Sequence, residues 1–264
     1  MKLTKAIIPN TLTCCNFLCG SIAVIYAVAS MDRISVYLSD INYDAWISDI
    51  SLGYLGMALL FILLGAVFDF FDGMSARLLH VDNPIGKDLD SLADATTFGL
   101  APSLVIVSFL NPIIGGWSFL ALIMAAFSIT RLAKFNHDTR QTTSFIGLAT
   151  PANAIFWAST IPTLLISEQK IFLHPCSAWI ILALSFVSCY LLISEIPFFS
   201  LKFHDLKWQG NEIRYVFIIG AVLILIAALI TGILLRLELL IPAISCIMIY
   251  YIILALVNNV ITRK

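Results

Sequence analysis

Long apolar runs separated by short polar segments organise this chain, and about eight of them approach the roughly 20 mostly apolar residues that a helix needs to cross a bilayer. They lie near Ile7 to Ala29, Gly53 to Leu79, Gly86 to Leu110, Ile114 to Phe135, Pro151 to Ile166, Ala178 to Ile196, Tyr215 to Leu235 and Leu240 to Val260, and the fifth is short. The pattern predicts an all-α, polytopic membrane helix bundle, organised as one integral-membrane domain over 1–264.

Composition closes off the soluble alternative. With 60% hydrophobic residues, 12% charged residues and a mean hydropathy of +0.98, the chain has too little polar surface to cover a globule. Loops on the cytoplasmic side of a membrane collect Lys and Arg. With the N-terminus inside, twelve of the fifteen cations fall on that side, from Lys2 and Lys5 to Arg263 and Lys264, and only Arg33, Lys170 and Arg236 fall outside. An even number of spans and cytoplasmic termini are therefore expected.

Several features carry no chemistry of their own. The start of the chain imitates a secretory signal, with Lys2, Lys5 and the A-x-A of 27–29, but its apolar run is long enough to span, so cleavage is not expected. Most of the six cysteines sit within predicted helices, where a thiol behaves as a small apolar group, and the four histidines form no ligand pattern. A net charge of −1 without a basic module argues against nucleic-acid binding. The segment IPFFSLKFHDLKW (196–208) mixes aromatic residues with lysines, a composition suited to the bilayer interface.

The acidic residues are distributed differently. Six of sixteen lie between Phe68 and Gly99, directly after an apolar run, although an ionised Asp at a helix centre costs about 2.5 to 3.5 kcal/mol on insertion scales. Asp69 and Asp72 stand at i and i+3, and Asp90 and Asp94 at i and i+4, so each pair shares one helical face. A turn near Asn83 makes the two helices antiparallel and brings Asp72 and Asp94 to a similar depth. Four carboxylates sharing a cavity repel one another unless cations lie between them, and oxygen-only ligation selects ions such as Mg²⁺ or Mn²⁺. Gly73, Ala76 and Arg77 follow at helical spacing. They leave room above the metals and place a guanidinium beyond it, a combination that suggests a diphosphate ligand.

Asp69, Asp72, Gly73, Ala76, Arg77, Gly86, Asp90 and Asp94 satisfy D-x2-D-G-x2-A-R-x8-G-x3-D-x3-D over 69–94, and on these residues the chain resembles the CDP-alcohol phosphatidyltransferase family. The resemblance implies a six-helix core, with extra C-terminal helices at about 215–260. It also implies two divalent metals per site held by Asp69, Asp72, Asp90 and Asp94, with Asp94 doubling as general base. CDP-lipid contacts are implied at Gly73 and Arg77, with Ala76 and Gly86 keeping the pocket open. Asn10, Thr13 and Asn83 are further CDP-lipid contacts on this resemblance; the bland alternatives are helix capping for the first two and a turn for Asn83. A homodimer in the bilayer is implied as well.

Acceptor choice lies outside that motif. RLAKFN (131–136) and SFIGLATPANA (144–154) resemble the RLARFN and F-x-GLP-x-P segments of the serine-using branch of the family, with Lys134 and Ala149 as departures. The resemblance implies transfer from CDP-diacylglycerol to L-serine, with Arg131 and Lys134 holding the serine carboxylate unless they are ordinary positive-inside anchors. Two alternatives stay open. One is a sister transferase that uses inositol, inositol phosphate or glycerol 3-phosphate; the other is a carboxylate-lined cation transporter, which gains nothing from an Arg beside its carboxylates.

Overall fold

The computed structural model describes residues 2–39, 45–80, 84–137, 144–167, 172, 174–199, 208–234 and 240–262. Nine α-helices are defined among them: α1 (Lys2–Ser39), α2 (Ala45–Leu78), α3 (Pro84–Asp94), α4 (Ala101–Ile114), α5 (Ile123–His137), α6 (Thr150–Ile166), α7 (Pro175–Ile193), α8 (Glu212–Leu234) and α9 (Leu240–Thr262). A π-helical turn, Ala95–Leu100, joins α3 to α4, and a 3₁₀ segment, Gly115–Leu122, joins α4 to α5. Two three-residue strands, β1 (Ser144–Ile146) and β2 (Pro197–Phe199), pair antiparallel with Ser144 opposite Phe199 and Ile146 opposite Pro197. The molecule is thus an all-α membrane bundle with one small β-clasp that the apolar pattern did not announce.

Local chemistry sets the helix boundaries. His80 takes φ 51° just after α2, which ends it in a left-handed turn, and Pro84 supplies a preset φ at the first position of α3. Gly115 at φ 58° ends α4, and α5 returns to pack on the π-turn. The His174 ring caps α7 by accepting from the Cys176 N–H at 3.2 Å.

Six helical stretches are long and apolar enough to cross a membrane, rather than the eight expected. The difference has two physical sources. The third and fourth expected spans lie within one helical stretch, Pro84–Asn136, interrupted at Gly115, where φ 58° and ψ −141° depart from helical geometry. The fifth, α6, has 17 residues, about 26 Å at the helical rise and below the hydrocarbon thickness of about 30 Å.

The main core lies among α1, α2, α4, α6 and α7, where Ile34, Leu55, Ile106, Phe109, Trp157 and Ile161 are fully buried. Apolar surface gains little from association in lipid, so close packing through small residues matters more. Ala23, Ala27, Ala58, Ala101, Ala154 and Ala158 provide it, each with no exposed surface. Buried hydroxyls such as Ser30, Ser103 and Ser185 are satisfied by carbonyls three or four residues earlier in their own helices. The opposite faces are apolar and exposed, as at Ile180, Leu223, Ile233 and Ile253, which suits contact with acyl chains. A second core joins the β-clasp to α8 and α9 through Leu148, Phe198, Phe217 and Tyr251.

Candidate functional site

Three of the four motif carboxylates converge. Asp69 and Asp72 lie on the last turns of α2, and Asp90 lies on α3. These three carboxylates each offer an oxygen within 4.8 Å of the other two. Asp94, at the end of α3, is 8% exposed, and the charges of Asp69, Asp90 and Asp72 all reach it. Asp90 Oδ1 is buried without a hydrogen-bond partner among the described residues. A carboxylate-only donor set with an orphaned buried oxygen fits a hard divalent cation, since an unpaired buried acceptor is otherwise costly.

Helix α1 completes the cluster with polar side chains that face α2 and α3. The Thr13 hydroxyl donates to Asp72 Oδ2 at 2.6 Å and lies 3.1 Å from its own-helix Pro9 carbonyl. Asn16 Nδ2 donates to Asp94 Oδ1 at 3.0 Å, and the Asn16 carbonyl accepts from the Thr97 hydroxyl at 3.0 Å. The π-turn adds a residue to the helical repeat just after Asp94, and such bulges reorient side chains at functional sites. Here Thr97 contacts α1.

Two glycines permit this proximity. A Cβ on Gly65 would lie 2.6 Å from Thr97 Cγ2 and 2.9 Å from Asn16 Oδ1, and one on Gly20 would overlap Thr97 Oγ1 and sit 2.8 Å from its Cα. Asn16 and Thr97 were missed in the sequence reading. An amide in the middle of an otherwise apolar span was the available signal for Asn16, because such a group is costly in lipid without a partner.

The other motif positions surround the cluster. Asn10 is half-buried on α1, one turn before Thr13. Gly73 is half-buried, and a Cβ there would meet nothing within 4 Å, so space remains beside the carboxylates. Ala76 is half-buried, Arg77 is exposed on the last turn of α2, and Gly86 is half-buried near the start of α3. Asn83 lies outside the described residues.

A second wall comes from α5 and α6. Arg131 is 7% exposed, the one buried cation among the described residues. Its Nη1 donates to Thr150 Oγ1 at 3.2 Å, its guanidinium lies 5.7 Å from the Phe135 ring centroid, and its Nε has no hydrogen-bond partner among the described residues. The Asp94 carboxylate is close enough to act on it electrostatically. Asn136 Nδ2 donates to Ser91 Oγ at 2.8 Å, which ties the end of α5 to α3 beside Asp90. The structure therefore separates the two acceptor candidates: Arg131 is buried near Asp94, whereas Lys134 is exposed.

Comparison with known proteins agrees with this geometry. The family model described as CDP-alcohol phosphatidyltransferase matches residues 6–191, well over half of the chain, and the chain belongs to that family. It is 42% identical over 97 residues to a CDP-diacylglycerol–serine O-phosphatidyltransferase of Bacillus subtilis, covering 36% of this chain and 54% of that protein. It is 31% identical over 157 residues to the protein of the same name from Helicobacter pylori, covering 58% of this chain and 64% of the relative. A Saccharomyces cerevisiae protein of that name is 41% identical over 92 residues, covering 33% of this chain and 32% of its own length. The matches thus span about half to two thirds of the first two relatives.

Proposed function

We propose that this member of the CDP-alcohol phosphatidyltransferase family moves the phosphatidyl group of CDP-diacylglycerol onto the hydroxyl of L-serine, giving phosphatidylserine and CMP. The observation that carries the proposal is one juxtaposition: the Asp69, Asp72 and Asp90 oxygens lie within 4.8 Å of one another, and the buried Asp94 is close enough to feel both their charges and that of the buried Arg131. The relatives' names and the RLAKFN segment support serine as the acceptor.

Asp69, Asp72, Asp90 and Asp94 would hold the two divalent ions, Mg²⁺ or Mn²⁺. When bound, such ions neutralise a diphosphate and stabilise the departing CMP. Thr13 fixes the Asp72 carboxylate by donating to one of its oxygens. Arg77, Asn10 and Asn83 contact the CDP-lipid, and Gly73, Ala76 and Gly86 keep its pocket open. Asn16 holds Asp94 Oδ1, which leaves the second oxygen to accept the serine hydroxyl proton as the serine oxygen bonds to the lipid-side phosphorus. The phosphorus–oxygen bond to CMP then breaks, and CMP leaves with the bonding electrons. The Nε of Arg131, without a hydrogen-bond partner among the described residues, offers a donor to the serine carboxylate, a charge-assisted bond well suited to a guanidinium. Lys134, exposed on the same helix, draws the anionic end of the acceptor toward the site.

We place the site and both termini on the cytoplasmic side, supported by the loop charges, and the protein in the bilayer as a homodimer. The test of the function offers purified protein CDP-diacylglycerol with serine, inositol, inositol phosphate or glycerol 3-phosphate. Serine should give the largest CMP release. A clear preference for another acceptor removes the serine assignment and leaves the family chemistry standing, and no release with any acceptor removes the activity itself.

A further inference from the structure

Helices α8 and α9 lie outside the residues matched by the family model, yet α9 packs on α6 and against β2. Tyr251 is at the centre of that contact. It is 7% exposed and its ring lies 5.0 Å from Phe199, 5.6 Å from Phe217 and 6.0 Å from Phe198 between centroids. Its hydroxyl donates to the Phe199 carbonyl at 3.2 Å.

From Phe199 the connection runs across the clasp. Ser144 pairs with Phe199, the Gly147 N–H donates to the Ile196 carbonyl at 2.9 Å, and the Leu148 N–H donates to the Leu191 carbonyl at 2.9 Å. Gly147 holds φ 77°, and a Cβ there would lie 2.6 Å from the Leu192 carbonyl oxygen. The clasp is therefore closed tightly on the end of α7. Three residues beyond Gly147, Thr150 opens α6 and accepts from Arg131.

We propose that Tyr251 is a positioning residue for the acceptor pocket, acting on Arg131 through the β-clasp, so that the C-terminal helices help to select the alcohol. The inference rests on the assignment of Arg131 to the acceptor side. Tyr250 provides a matched control, because its hydroxyl makes an equivalent bond, to the Val216 carbonyl at 3.0 Å, that joins α9 to α8.

The experiment measures KM for serine and for CDP-diacylglycerol in the wild type, Tyr251→Phe, Tyr250→Phe, Arg131→Met and the double variant Arg131→Met with Tyr251→Phe. Thermal midpoints are recorded for each. If serine is not the preferred alcohol, the preferred one replaces it. Tyr251→Phe keeps the aromatic packing, and it should raise KM for the acceptor roughly 3- to 10-fold, the range of one neutral hydrogen bond. KM for CDP-diacylglycerol should stay within about 2-fold, Tyr250→Phe should leave both constants alone, and in the Arg131→Met background the Tyr251 effect should vanish, as coupling between connected residues requires. An unchanged acceptor KM in Tyr251→Phe beside a raised one in Arg131→Met overturns the inference alone. So does a parallel rise in both constants, or the same effect from Tyr250→Phe. An Arg131→Met variant with normal acceptor KM overturns the Arg131 assignment, and the inference with it.

Discussion

Replacing Asp94 with Asn changes the charge and proton affinity of one group while keeping its shape. The structure indicates what survives. Asp94 Oδ1 accepts from Asn16 Nδ2 at 3.0 Å, so the variant amide can keep its oxygen there and turn its NH₂ group toward the space where the alcohol enters. Asp69, Asp72 and Asp90 still offer three oxygens within 4.8 Å of one another, and divalent-ion and CDP-lipid binding should largely persist. Turnover should fall by about 10²-fold or more, the usual scale for losing a general base, equivalent to a barrier increase of about 2.7 kcal/mol. Asp69→Asn alters the three-oxygen cluster itself; it should weaken metal binding, and extra Mn²⁺ should partly restore activity. CMP formation is measured alongside Mn²⁺-dependent binding of CDP-diacylglycerol for both variants. Near-normal turnover in Asp94→Asn, or a loss that excess Mn²⁺ repairs, makes Asp94 a ligand only and refutes its role as base.

Three further outcomes follow from the same geometry. Arg131→Met should raise KM for serine by about 10- to 100-fold, the range for a hydrogen bond to a charged group, with Arg131→Lys recovering part of the loss; initial rates at varied serine check it. Gly65→Ala forces a Cβ to within 2.6 Å of Thr97 Cγ2 and 2.9 Å of Asn16 Oδ1, and overpacking of this kind costs about 1 to 3 kcal/mol. It should lower the thermal midpoint and reduce turnover, whereas unchanged stability and activity would show that α1 and α2 are not closely held here. Light scattering with the detergent contribution subtracted should give a dimer mass, and fully active monomer would contradict the proposed assembly.

The carboxylate cluster could be foreseen because its geometry is local: i, i+3 and i, i+4 spacing fixes a face, and one turn brings two faces together. The membrane bundle could be foreseen because apolar runs report lipid burial directly. Length and hydropathy do not determine geometry at Gly115, where the backbone leaves helical dihedrals between α4 and the 3₁₀ segment, or in the short α6. Contacts between distant segments were hidden for a different reason. Asn16 finds Asp94 78 positions away, and Tyr251 finds Phe199 52 positions away; neither spacing leaves a periodic trace. The β-clasp has three residues per strand, too few for a two-residue alternation to stand out from an apolar background. Arg131 and Lys134 looked equivalent in RLAKFN, three residues apart, and only packing against Thr150 and Phe135 distinguished the buried cation from the exposed one.

The most direct test of the central claim is the mass balance of products from CDP-diacylglycerol and serine in detergent micelles or vesicles. CMP and phosphatidylserine should form in equal amounts, stop when EDTA removes divalent ions, and resume when Mg²⁺ or Mn²⁺ is restored. CMP released without matching phosphatidylserine, or transfer that continues at full rate in EDTA, would contradict a carboxylate-held, metal-dependent transfer to serine.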